Sequence, residues 1–158
     1  MIIVYTPSGD EPEHYDARSL KVSEASIVAR TIDQTWQQVQ AGLPEEDLDA
    51  MRAIVWVIKK RSQPSLRFGD FDPGVEEMVT RYDKEEIKNW VTNAVEIAQG
   101  EGLTEEQTRA GLTKVPDAAA DPEHARDTIE RILAAPKEPE PLAQQNPPPS
   151  ETPETSAA

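Results

Sequence analysis

Two histidines and one cluster of carboxylates are the residues of this chain whose types could support metal or acid–base chemistry. His14 and His124 each stand beside acidic residues, a setting that can serve a metal ion or a general base. Neither has a second histidine at helical spacing, and the chain has no cysteine, so the pattern of a zinc site is missing. Both read as surface residues. Asp70, Asp72, Glu76 and Glu77 crowd around Gly74. An EF-hand loop needs glycine at position six and glutamate at position twelve. Counted from Asp70, those positions hold Val75 and Arg81, so the cluster reads as a solvated acidic turn. The glycines are scattered singly, which leaves no phosphate-cradling loop and no nucleophile elbow. No base–nucleophile pair emerges and no cofactor is implied, so the residues point away from an enzyme.

Lys59, Lys60, Arg61 and Arg67 form the one basic island, interleaved with Phe68 and Phe71. Basic groups among aromatics can hold a nucleic-acid single strand by charge and stacking. The chain as a whole argues otherwise. Its formal net charge is −14, with 30 acidic against 16 basic residues. A phosphate partner needs a net basic face, and an anionic membrane surface repels an acidic protein. The plain reading of the island is compensation of a helix C-terminus. No apolar run reaches the roughly 18 residues of a bilayer span. Met1 to Thr6 lacks the length and the basic opening of a signal peptide. The expectation is a soluble, intracellular protein with neither nucleic acid nor membrane as partner.

The elements that must position these residues can be read by pattern. Residues 1–22 suggest a β element, with Ile2 to Thr6 as one strand, Pro7-Ser8-Gly9-Asp10 as a turn and Tyr15 to Val22 as a second strand. Ser23 is a plausible N-cap with Glu24 in the first turn. Ile27, Val28, Ile32, Trp36 and Val39 follow helical spacing, with a break near Asp33 and a stop at Gly42. Pro44 suits the first position of the next helix. Leu48, Met51, Ile54, Val55 and Ile58 make one apolar face of it, and Trp56 and Val57 widen that face until the helix is apolar nearly all round. Pro64 prevents its continuation. A further helix over Lys84 to Ala98 carries Ile87, Trp90, Val91, Ala94 and Val95 on one face. Thr104-Glu105-Glu106-Gln107 is a capping box, and Asp121-Pro122-Glu123 opens a last helix with Ile129, Ile132 and Leu133 as its stripe.

The expected fold is mainly helical, a small α+β domain: an N-terminal β-hairpin packed on a compact helical domain, with a disordered C-terminal tail. Its parts are a β element over 1–22, a helical core over 23–98, peripheral short helices over 99–135, and a Pro- and Glu-rich tail over 136–158. That tail holds half of the 14 prolines and almost no large apolar groups, a composition that cannot offset its ordering entropy.

Four features resemble one protein family. A β-like start leads into a helix. A short helix holding Thr35-Trp36 ends at Ala41-Gly42-Leu43. The apolar run Ala53-Ile54-Val55-Trp56-Val57-Ile58 leads into Lys60-Arg61. Pro64-Ser65-Leu66-Arg67-Phe68 is followed by an aromatic, acidic turn. Together, over roughly residues 15–75, they resemble the tail assembly chaperones of long-tailed, siphovirus-type bacteriophages, especially those of actinobacteria. The resemblance implies a non-enzymatic protein that binds the aggregation-prone tape measure protein, with the tail tube subunit (the major tail protein) as a further client and homo-oligomerisation open. It implies work in the host cytoplasm and absence from the mature virion. Trp36, Trp56, Val57, Leu66, Phe68 and Phe71 are the candidate client-binding residues, with Phe68 and Phe71 expected to be the exposed members. The plain alternative is that these six are simply core. The rival functions are a head–tail or tail adaptor protein of the particle, and an acidic inhibitor that mimics DNA.

Overall fold

A computed structural model describes residues 1–135; the tail expected over 136–158 lies outside the described residues. The fold is a mainly helical α+β arrangement with a small sheet at its N-terminal side. The β-branched run Ile2–Tyr5 forms β1, as its stiff side chains favour. Gly9, at φ +87°, turns the chain back into β2, Glu13–Asp16, with Ile3 opposite Tyr15. This strand is earlier and shorter than the Tyr15 to Val22 run expected. The Asp16 carboxylate accepts from the Arg18 amide and starts a single 3-10 turn over Ala17–Ser19, and Val22 already opens a helix. A third strand, β3 (Met78–Arg81), pairs with the other side of β1. The hairpin is therefore a three-stranded antiparallel sheet in the order β2-β1-β3.

Helix α1 spans Val22–Thr31. Lys21, rather than Ser23, holds its N-cap position, and Glu24 reaches back to the Lys21 amide at 2.7 Å. The break falls at Asp33, whose φ is +53°. Helix α2, Trp36–Gly42, opens on a reciprocal pair between Thr35 and Gln38, which satisfies two otherwise orphaned amides. Gly42 is required by space. A Cβ there would lie 2.9 Å from the Cβ of Asp47, the residue whose carboxylate caps α3 by accepting from the amides of Asp49 and Ala50. Helix α3 is Leu48–Lys59. Pro44 does not begin it; the chain makes a turn there, with Glu46 at φ +55°, and Asp47 is the N-cap instead.

Helix α3 is central, as its all-round apolar character requires. Met51, Ile54 and Val55 are fully buried, and Trp56 and Val57 nearly so, in a cluster shared with Ile3, Val28, Val39, Phe71 and Met78. A second cluster is built by α4 (Lys84–Gly100), α5 (Glu105–Gly111) and α6 (Pro122–Leu133). There Ile87, Val91 and Val95 pack with Leu112, Val115, Ala125 and Ile129. Helix α4, grouped by its sequence with the helices before it, thus belongs with the short helices after it.

Asp83 joins the two clusters. It is buried and caps α4 through the amides of Glu85 and Glu86. Its other oxygen lies 2.8 Å from the Met1 amine and 3.1 Å from Arg18. Burial would raise its carboxyl, but the amine and the Glu86 amide outweigh that and hold it well below the usual carboxylate range. Beside it, Tyr82 exchanges backbone bonds with Ala118 and Ala120, each of 2.9 Å.

Candidate functional site

The motif Pro64-Ser65-Leu66-Arg67-Phe68, and the turn that follows it, form a strap folded back over α3. Its backbone carbonyls need donors, and α3 supplies them. The Trp56 indole Nε1 donates to the Leu66 carbonyl at 3.1 Å. Arg52 donates from Nε to the Phe71 carbonyl at 2.7 Å and from Nη2 to the Phe68 carbonyl at 3.0 Å. The Phe68 ring meets Trp56 edge-on at 5.3 Å and lies under the Arg52 guanidinium at 4.2 Å. Phe71 packs edge-on against Tyr5 at 5.5 Å.

The six candidate residues therefore do not form one surface. Trp56, Val57 and Phe71 are buried core; Leu66 and Phe68 are half-buried in the strap. The expectation that Phe71 is exposed is corrected: only 7% of it is accessible, because the strap turns its ring inward onto the sheet. Three members of the basic island, Lys59, Lys60 and Arg61, are committed to contacts within the chain, and Arg67 is exposed. Lys59 lies 2.6 Å from Glu13, which also accepts from the Tyr15 hydroxyl. Lys60 sits over the Trp56 ring at 5.1 Å. Arg61 forks onto Glu24 at 2.8 and 2.7 Å and reaches the Ser19 carbonyl. Two of the four carboxylates of the acidic turn are also engaged. Glu77 accepts from the amides of Ser8 and Gly74, and Asp72 stands 3.7 Å from Arg52. His14 lies in β2 opposite Val4, and His124 in α6 has Nε2 3.3 Å from the buried Thr128 hydroxyl. Among the described residues, no three His, Cys, Asp or Glu side chains are grouped to hold a metal ion, and no helix is long and apolar enough to cross a membrane.

Trp36 alone of the six reaches a different place. It lines an open groove of about 1170 Å³ between the 3-10 turn, α1 and α2. The floor is apolar: Ala17, Leu20, Leu43 and Pro44 with Met1 at one end. The α1 wall presents Val22, Ala25, Ser26 and Ala29, which repeat at the spacing of one helix face. Small residues on that face let another backbone approach closely. Val22 is 86% exposed, an uncommon state for a valine at the mouth of an apolar groove. Sequence reading missed this wall, because alanine on a helix is as easily explained by helix propensity as by contact.

A second apolar strip lies on α4. Trp90, expected on the buried face with Ile87 and Val91, is 42% exposed, and Ile97 is 62% exposed. The Tyr82 ring packs tilted against Trp90, centroids 5.4 Å apart. Trp90 and Ile97 are two turns apart on the flank of the helix, outside the stripe that α5 and α6 cover. The arrangement as a whole offers apolar contact surfaces on an acidic body. Comparison with family models, with curated proteins and with solved structures finds no match to this chain.

Proposed function

We propose that this protein is a tail assembly chaperone of a long-tailed bacteriophage, which binds the tape measure protein in the host cytoplasm and keeps it soluble without catalysis. The observation that carries the reading is the groove lined by Trp36, Val22, Ala25 and Ala29, open on a chain of net charge −14. An apolar groove walled by small helical residues accepts the apolar face of an amphipathic helix. The surrounding negative charge keeps such a complex dispersed. The motif resemblance adds the client's identity, and the tail tube subunit is the further client it implies.

Co-expression with the neighbouring tape measure protein tests this. The client is expected in the soluble fraction, co-purifying with the wild-type chain. Ala29→Arg fills the groove from a half-exposed helical position; it is expected to lose the client while its own melting temperature stays unchanged. A client equally soluble without the chain, together with the chain's presence in purified virions, would replace this reading with that of a structural adaptor.

A further inference from the structure

The groove and the α4 strip are neighbours. Glu86 lines the groove, and one turn later on the same flank of α4 stands Trp90. A smaller hollow of about 330 Å³ shares Met1 and Pro44 with the groove and includes Tyr82, the residue packed against Trp90. The groove and the hollow therefore meet at the charged Met1–Glu86 pair, with apolar residues on either side of it: the groove floor and α1 wall on one, Tyr82 and the Trp90–Ile97 flank of α4 on the other. Acidic groups border this course: Glu45 and Glu46 beside the hollow, Glu85 and Glu86 at the junction, and Glu101 beyond Ile97. The cations along it are Arg18, Arg30, Arg81 and the Met1 amine. Arg18 is paired with Asp16, Asp83 and Glu85. The amine is paired with Asp83 and Glu86. Arg30 and Arg81 donate to the Ser26 and Thr80 carbonyls.

We infer that the groove and the Trp90–Ile97 strip are two parts of one docking track for a single long amphipathic helix with basic residues flanking its apolar face. The inference rests on the client-binding reading of the groove and names the chemistry of the occupant. Charge complementarity sets the basic flanks, since the carboxylates along the track (Glu45, Glu46, Asp83, Glu85, Glu86 and Glu101) outnumber its cations (Arg18, Arg30, Arg81 and the Met1 amine). Length sets the rest. At a rise of 1.5 Å per residue, Glu86 to Glu101 spans about 22 Å and Val22 to Ala29 about 10 Å; laid end to end they match roughly 22 helical residues, more than a 15-residue peptide supplies. A long client would then be gripped by both hydrophobic clusters at once, and a short one by the groove alone.

The test uses the full chain and peptides of about 15 and about 35 residues tiled across the tape measure protein, lengths that respectively cannot and can cover the track. Ile97→Glu, at an exposed position, is expected to weaken the long peptides that bind by about tenfold or more, as loss of an apolar anchor does, and to leave short ones unchanged. Trp90→Glu is the second variant and is expected to do the same. Ala29→Arg is expected to weaken both lengths, and added salt to weaken the long peptides more than the short. If Ile97→Glu and Trp90→Glu leave every long peptide's Kd unchanged while Ala29→Arg raises it, the track is overturned and the groove stands. If no peptide binds the wild-type chain, the chaperone reading itself falls and takes the track with it.

Discussion

The two hydrophobic clusters are built on opposite plans. The first surrounds one helix: the sheet, α1, α2 and the strap all close on α3, whose residues from Ala50 to Val57 are nearly all buried. The second has no central helix. Helices α4 and α6 each contribute one stripe to a shared seam, which Leu112, Val115 and Ala119 from the segment after α5 complete, and each keeps a flank in water. A helix wrapped on all sides assigns the exposed work to its neighbours, which is why the groove lies on α1 and α2 rather than on α3. Helices that share a seam expose whatever their flanks carry, and the flank of α4 carries Trp90 and Ile97. The difference teaches where contact surface can persist: on the outer elements of a wrapped core and on the uncovered flanks of an unwrapped one.

The strongest way to break this arrangement is at the junction. Asp83→Ala removes the α4 cap and leaves the Met1 amine without one of its two carboxylates. The expected loss is about 2–4 kcal/mol. The clusters should then unfold separately in urea, seen as tryptophan fluorescence and circular dichroism curves that no longer coincide. Asp83→Asn keeps a capping oxygen and should lose less. A single coincident transition at the wild-type midpoint would show that the clusters are coupled elsewhere.

A smaller effect is expected from Arg52→Met, which keeps the apolar stem and removes the donors to the Phe68 and Phe71 carbonyls. Leaving two part-buried carbonyls without their donor costs about 1–2 kcal/mol. Amide exchange should quicken over residues 62–72 and stay unchanged in α4 to α6. Faster exchange in both clusters would mean that the strap supports the whole molecule rather than one half of it.

The smallest effect concerns the tie between α1 and the end of α3. The hydrogen-bonded Arg61 guanidinium holds the Glu24 carboxyl at about 2, against an ordinary 4.5. A folded-state value below the unfolded one stabilises above the ordinary value and loses that contribution as the pH falls through the folded one. Glu24→Gln should therefore melt slightly below wild type at neutral pH, by under about 1 kcal/mol for so accessible a pair. The gap should narrow between pH 4.5 and about 2. A gap that persists unchanged down to pH 2 would assign the loss to the α1 cap rather than to the charge.

Much of the fold was legible because its signals are local. The capping residues Thr104 and Asp121 were readable within a few residues of sequence, and so were the break near Asp33 and the central place of α3. Asp47 was overlooked in favour of Pro44, although both are ordinary start residues; the choice depends on the turn that Glu46 makes at positive φ. Strand β3 was missed because Met78-Val79-Thr80-Arg81 is short and its partner β1 lies at the far end of the chain. Of the candidate surface, only Trp36 was legible. The strap residues were singled out as a unit; that Arg52 and Trp56 draw the strap's carbonyls onto α3 was not legible, because the donors lie 10 to 19 residues away.

The sequence by itself determined the acidic charge, the periodicity and caps of most helices, and the all-round apolar character of α3, since each depends on composition or on neighbours within one or two turns. Only the tertiary structure decided which apolar residues stay uncovered. Phe71 and Trp90 are both aromatic residues in apolar settings, yet one is folded under the strap and the other stands on an open flank. Burial depends on which distant element arrives to cover a side chain, and nothing local to that side chain carries this information.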